Sequence, residues 1–148
     1  MSQSEAPAQV MQALHEHLED DVDVQSVLGA SPRLYDHAPE DPVFPYLTYG
    51  TLRSEDIGAD DVALGSHTLN LHIWSRYCGR AEVLDTVAHV VRALERFDVS
   101  DDELALVRCR ILYTDVFRTS DGRTLHGLIR LSLITETLIP ENLVETVS

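Results

Sequence analysis

The plainest pattern in the chain is the alternation across residues 67–74. Leu69, Leu71 and Ile73 share one side, and Asn70, His72 and Trp74 the other, as expected of a half-buried strand. Residues 104–119 and 123–138 form two longer alternating runs around Ser120-Asp121-Gly122. Asp-Gly between such runs is a strong hairpin signal. A two-residue turn there has Arg118 facing Leu125, Tyr113 facing Arg130 and Cys109 facing Ile134. Tyr46 to Gly50, rich in aromatic and β-branched residues, reads as a further short strand.

Helical spacing appears twice. Val10, Met11, Leu14 and Leu18 predict an amphipathic helix to about residue 19, opened by Ser4 with Pro7 in the first turn. Val83, Leu84, Val87, Ala88, Val91 and Leu94 make an apolar stripe over residues 80–97. Residues 24–29 can add one helical turn, stopped by Gly29 and Pro32. Pro32, Pro39, Pro42 and Pro45 make residues 31–45 an extended connection. Residues 51–65 are acidic and contain Gly58 and Gly65; they read as a flexible loop, a length usually functional or disordered. The element order predicts an α+β domain, an antiparallel four-stranded sheet with two main helices packed on one face. Residues 1–139 form this single domain, and residues 140–148, beyond the ladder that Pro140 ends, form a flexible tail.

Composition adds limits. The 148 residues carry a net charge of −14, and all 11 basic residues are arginine. Without lysine there is no Schiff-base chemistry and no phosphate-loop lysine. The acidity argues against ordinary nucleic-acid binding, which needs a basic face, and against docking on anionic membrane. No stretch approaches the ~18 apolar residues of a membrane span. The N-terminus has no signal-peptide pattern, so a cytoplasmically made protein is expected. Cys78 and Cys109 are two lone thiols without a CxxC pair.

Motifs for catalysis are missing. His15 and His17 lie two apart on a helix, on different faces, and His67 and His72 lie five apart on a strand, on opposite faces. The acid pairs Asp60-Asp61 and Asp101-Asp102 read as solvated turns before they read as cation ligands. No cofactor, metal or catalytic residue is therefore assigned. Charge is uneven instead. Residues 1–61 hold 13 acids and two arginines, a net −11, while Arg108, Arg110, Arg118, Arg123 and Arg130 all fall in the hairpin. That division suits a self-complementary assembly in which Arg-bearing strands of one subunit meet an acidic surface of the next.

Over residues 8–138 the chain resembles the tail completion, or tail terminator, proteins of long-tailed phages and gene transfer agents. The resemblance is carried by Val10, Leu14 and Leu18; Arg33-Leu34-Tyr35; Pro45-Tyr46-Leu47-Thr48; residues 69–75 (LNLHIWS); Gly79-Arg80-Ala81-Glu82; and residues 121–127 (DGRTLHG) leading to Thr135-Glu136. It implies a virion protein that forms a hexameric ring, caps the tail tube, ends its polymerisation and joins a head-side connector or stopper. DNA would pass through without specific binding, and an acidic wall would keep phosphate from sticking. On this reading Arg108, Arg110, Arg118, Arg130 and Trp74 lie at the subunit interface. Asp20, Asp21, Asp60 and Asp61 line the channel or a ring mouth, and Glu55, Asp56 and Ile57 contact tube or connector. The 51–65 loop and the tail after Pro140 match no motif of the family. The rival readings are a head–tail stopper or adaptor, a small enzyme or ligand-binding domain centred on Trp74, His72 and Tyr77, and an acidic DNA mimic.

Overall fold

The computed structural model describes residues 5–77 and 79–138. Ser4, Cys78 and the expected tail at 140–148 lie outside the described residues. Helix α1 (Ala6–Asp20) starts with Pro7 in its first turn and buries Ala6, Val10, Leu14 and Leu18, the stripe its spacing predicts. Helix α2 (Val22–Leu28) follows at once. The Asp21 carboxylate accepts from the backbone N–H groups of Asp23 and Val24, capping its first turn. Gly29 ends it at φ 105°, a backbone that other residues rarely adopt.

The sheet corrects the expected architecture. It has five strands in the order β1-β2-β3-β5-β4: β1 (Leu34–Tyr35), β2 (Tyr46–Asp56), β3 (Leu64–Ser75), β4 (Leu104–Arg118) and β5 (Leu125–Thr137). It is mixed, because β1 pairs with β2 in parallel while the other pairings are antiparallel. Among the described residues three helices, counting α3 (Ala81–Glu95), accompany it where two main helices were expected. Two residues cannot show a period, so β1 has no pattern to read. It is held instead by Arg33, whose Nε donates to the Pro45 carbonyl at 2.8 Å. The expected 51–65 loop is mostly strand. β2 continues to Asp56 and β3 begins at Leu64, leaving a short turn between them.

The centre of the sheet is the β3–β5 ladder, in unbroken register from Leu64↔Glu136 to Ser75↔Leu125. Both strands alternate strictly between buried and half-buried residues. Leu69, Leu71 and Ile73, with Ile129, Leu131 and Leu133, form the core together with Val83, Val90 and Leu94 of α3 and the α1 stripe. The hairpin register holds at its turn end, with Arg118↔Leu125 and Tyr113↔Arg130. Beyond the first bulge, between Ile111 and Tyr113, it slips by one residue, so Cys109 faces Leu133 and not the expected Ile134. The turn is fixed by Asp121, which accepts from the Thr119 hydroxyl at 2.6 Å and from the N–H groups of Arg123 and Thr124. Those bonds, the Thr119 hydroxyl first, hold its carboxyl well below the usual carboxylate range.

Gly127 sets how closely α3 lies on the sheet. A Cβ there would stand 2.9 Å from Val87 Cγ2 and 3.1 Å from Val83 Cγ2. Gly127→Val should cost about 1–3 kcal/mol by overpacking, measured by chemical denaturation. An unchanged unfolding midpoint would mean the helix does not rest on this glycine.

Candidate assembly interface

All three helices cover one face of the sheet, so the other face is built from the alternate residues. At one end of the strands the register brings Tyr46, Trp74, His126 and Phe117 into a row across β2, β3, β5 and β4. Trp74 stacks on His126 at 4.0 Å between centroids, and Phe117 lies against the same imidazole at 4.6 Å. Trp74 Nε1 donates to the Thr48 hydroxyl at 3.0 Å. His72 Nδ1 and His126 Nε2 are 2.7 Å apart and share one hydrogen bond. Burial lowers the His72 pKa; burial and then the His72 charge push His126 down to about 4, with Asp115 opposing weakly. Both rings are therefore held neutral, stacked and internally bonded near neutral pH.

Further along the strands the face turns basic. Arg130 Nε donates to Asn70 Oδ1 at 2.8 Å, and its guanidinium lies 5.5 Å from the Tyr113 ring centroid. Arg110 and Arg108 stand opposite Ser132 and Ile134 and are exposed. Four of the five expected interface residues, Trp74, Arg108, Arg110 and Arg130, thus share the uncovered face. Arg118 does not join them. It belongs to the β4–β5 turn, where it donates to the Gly122 carbonyl at 3.2 Å.

The acids collect at the opposite end of the strands from that turn. Asp60 and Asp61 form the exposed tip of the β2–β3 hairpin, with Glu55, Asp56 and Ile57 just before it. Asp101 and Asp102 stand exposed before β4, and Leu138 at the end of β5 bonds to the Glu103 carbonyl. Asp20, Asp21 and Asp98 border one groove between α1 and the start of β4. Asp21 differs from the other acids. It caps α2 and is bound by Arg96 at 2.8 Å, with its side chain 7% exposed. Burial raises its pKa, but the Arg96 bond and the two backbone N–H groups outweigh that and lower it. The β4–β5 turn end carries Arg76, Arg118 and Arg123, with Arg76 bound to Thr124. The subunit is therefore polarised along its strands.

Several residues with chemical potential are engaged by partners within the fold. His67 is buried between the Ser54 hydroxyl at 2.7 Å and the Thr135 hydroxyl at 2.9 Å. His15 meets the Tyr49 hydroxyl and His17 the Ala93 carbonyl. Burial pushes the Cys109 thiol up to about 11, leaving it protonated and unreactive near neutral pH. A groove of about 550 Å³ between α1 and β1 is lined by Met11, His15, Tyr35 and Tyr49, away from Trp74 and His72. No group of three or more metal-ligating side chains occurs among the described residues.

The family described as tail completion protein gp17 matches residues 12–136. The chain belongs to this family. The sequence resemblance to tail completion proteins and the family match agree. Two solved structures share the tail completion protein's fold. One, from the virion of a native gene transfer agent particle, has a TM-score of 0.73 at 20% identity, covering 84% of this chain and 92% of that one. The other, bacteriophage SPP1 gp17 protein, has a TM-score of 0.56 at 21% identity, covering 93% of each chain. No individual curated protein matches.

Two outcomes follow for this tail completion protein. His126 favours its neutral form when folded, so stability falls as pH drops from the ordinary value of 6.5 toward about 4. His126→Asn should lack this loss, so the wild-type-minus-variant difference in melting temperature should fall as pH drops across that window; a difference that stays constant with pH would contradict it. Asp21→Ala should lose about 0.5–2 kcal/mol at pH 7 through its cap. The loss should shrink as pH falls below the ordinary 3.8, because the folded carboxyl titrates lower. Denaturant titrations at pH 7 and pH 3 measure it.

Proposed function

We propose that this protein closes into a ring, six subunits being the stoichiometry its resemblance implies, and that the ring caps the finished tail tube. The cap ends tube polymerisation and presents its far side to a head-side connector or stopper. The observation that carries the reading is the family match over residues 12–136. The family's name describes a structural role in completing a tail, and the ring is the assembly that gives such a role a geometry. The polarised subunit supports it. A ring of subunits aligned along their strands has one acid-rich face and one face bearing Arg118 and Arg123, so two unlike partners can be told apart.

DNA passage is the second part of the reading. Exposed carboxylates at Asp20, Asp98, Asp101 and Asp102 would repel phosphate at the channel or its mouth, where basic groups would hold it by counterion release. Asp21 contributes less there, being engaged by Arg96. Asp60 and Asp61 stand apart on the projecting hairpin tip. The particle is a virion or a gene-transfer-agent-like one, with the ring at the head-proximal end of its tail.

The test adds purified protein to elongating tail-tube subunits. The expected result is arrest of elongation at substoichiometric amounts, with rings at tube ends in negative-stain micrographs. Unimpeded tubes, with rings that instead bind head connectors alone, would reassign the protein as a stopper or adaptor.

A further inference from the structure

Two surfaces left open by the fold match each other. The first is the outer flank of β4. Two bulges interrupt its pairing with β5, and the unmatched residues are Val107 and Leu112. They are 56% and 45% exposed. A bulged residue is released from the ladder, so the fold does not itself require an apolar side chain at either place. Arg108 and Arg110 lie between them, and neither has an acidic partner within ion-pair distance among the described residues. The segment before β4 covers only its beginning, through the Leu106 N–H to Val99 and the Ser100–Ala105 bridge. From Val107 onward no described residue pairs with the strand's outer edge, which bears exposed apolar residues, a surface proteins normally protect.

The second surface is the β2–β3 hairpin tip. Ile57 and Val62 are 46% and 40% exposed, with Asp60 and Asp61 between them. The tip has fixed shape: Ile57 N–H bonds to Leu64, and Ala59 and Val62 bond to each other. Apolar anchors with acids thus answer apolar anchors with arginines. The tip projects from the ends of β2 and β3, whereas β4 is the edge strand, separated from β3 by β5.

We propose that the hairpin tip of one copy docks on the β4 flank of the next, Ile57 and Val62 meeting Val107 and Leu112 while Asp60 and Asp61 meet Arg108 and Arg110. The assignment rests on the ring reading and specifies its seam. Each copy offers both unlike patches, so the contact is heterologous and repeats until the ring closes. Arginine suits it, because a guanidinium pairs two-pronged with carboxylates and loses little hydration.

The test reverses charge on each side in the full chain, D60R/D61R and R108E/R110E, and reads assembly by native mass spectrometry, with melting curves to verify folding. Each variant alone should assemble about a hundredfold more weakly, since like charges then face each other. Mixing the two should restore rings of alternating subunits, because the reversed patches again match. The apolar pair I57D and L112D reads the same contact without charge rescue. Mixed, these should stop at one-to-one dimers, each dimer having one sound contact; this pair decides if a charge-reversed chain fails to fold. Folded variants that form rings alone overturn the assignment while leaving the ring standing. Rings that persist but no longer arrest tube growth also overturn it, and place a patch on the tube. A wild-type chain that stays monomeric with and without tube subunits overturns the ring itself.

Discussion

The molecule is organised around a sheet that, among the described residues, is covered by helices on one side only. The helices supply one layer, and β3 and β5 respond by burying Leu69, Leu71, Ile73, Ile129, Leu131 and Leu133 on that side, with Asn70, His72, Trp74, His126 and Arg130 among the residues on the other. The covered side is the core. The uncovered side must be stable in water yet able to meet another surface. It achieves this by bonding its polar atoms within itself: Trp74 to Thr48, His72 to His126, Arg130 to Asn70. Such a face is ordered before any partner arrives, so little entropy is lost on docking.

Electrostatics adds direction. A net −14 spread evenly would only keep the chain soluble. Here Asp21 and Asp23 hold Arg96 at the helix layer, while the acids at the β2–β3 tip and before β4 stay in solvent. Arginines occupy the far turn and the β4 flank. On the proposed reading, the opposed patches on one chain bring copies together, and the acid-rich end faces DNA that passes without binding. The acidity that excludes a DNA binder is therefore compatible with a protein that works beside DNA.

The central elements are legible in the sequence because burial imposes a period. β3, the β4–β5 hairpin and the stripes of α1 and α3 all show it. The parts that escape are those where burial does not decide. β1 is too short for a period, and its place depends on Arg33 reaching Pro45. The second half of β2 is polar on both sides, because its outer half is an exposed ladder, so it reads as loop. Bulges at Val107 and Leu112 shift the register by one residue each, and no local signal announces them. The candidate surface is half legible. The arginines of the hairpin and Trp74 stand out by type, but unbroken alternation would leave Arg108 and Arg110 on the face of Arg118; the bulge at Leu112 brings them to the face of Arg130 and Trp74. The pairing of His72 with His126, 54 residues away, emerges only from the fold. Arg118 and Asp21 attract attention by charge, but each serves a turn or a cap.

The central claim is that the uncovered β4 side is where the molecule assembles. Hydrogen exchange of the backbone amides over residues 107–117, compared between dilute monomer and assembled protein, tests it most directly. Protection across that segment on assembly, with the outer face of α1 unchanged, is the predicted result. Equal exchange in both states would contradict the account.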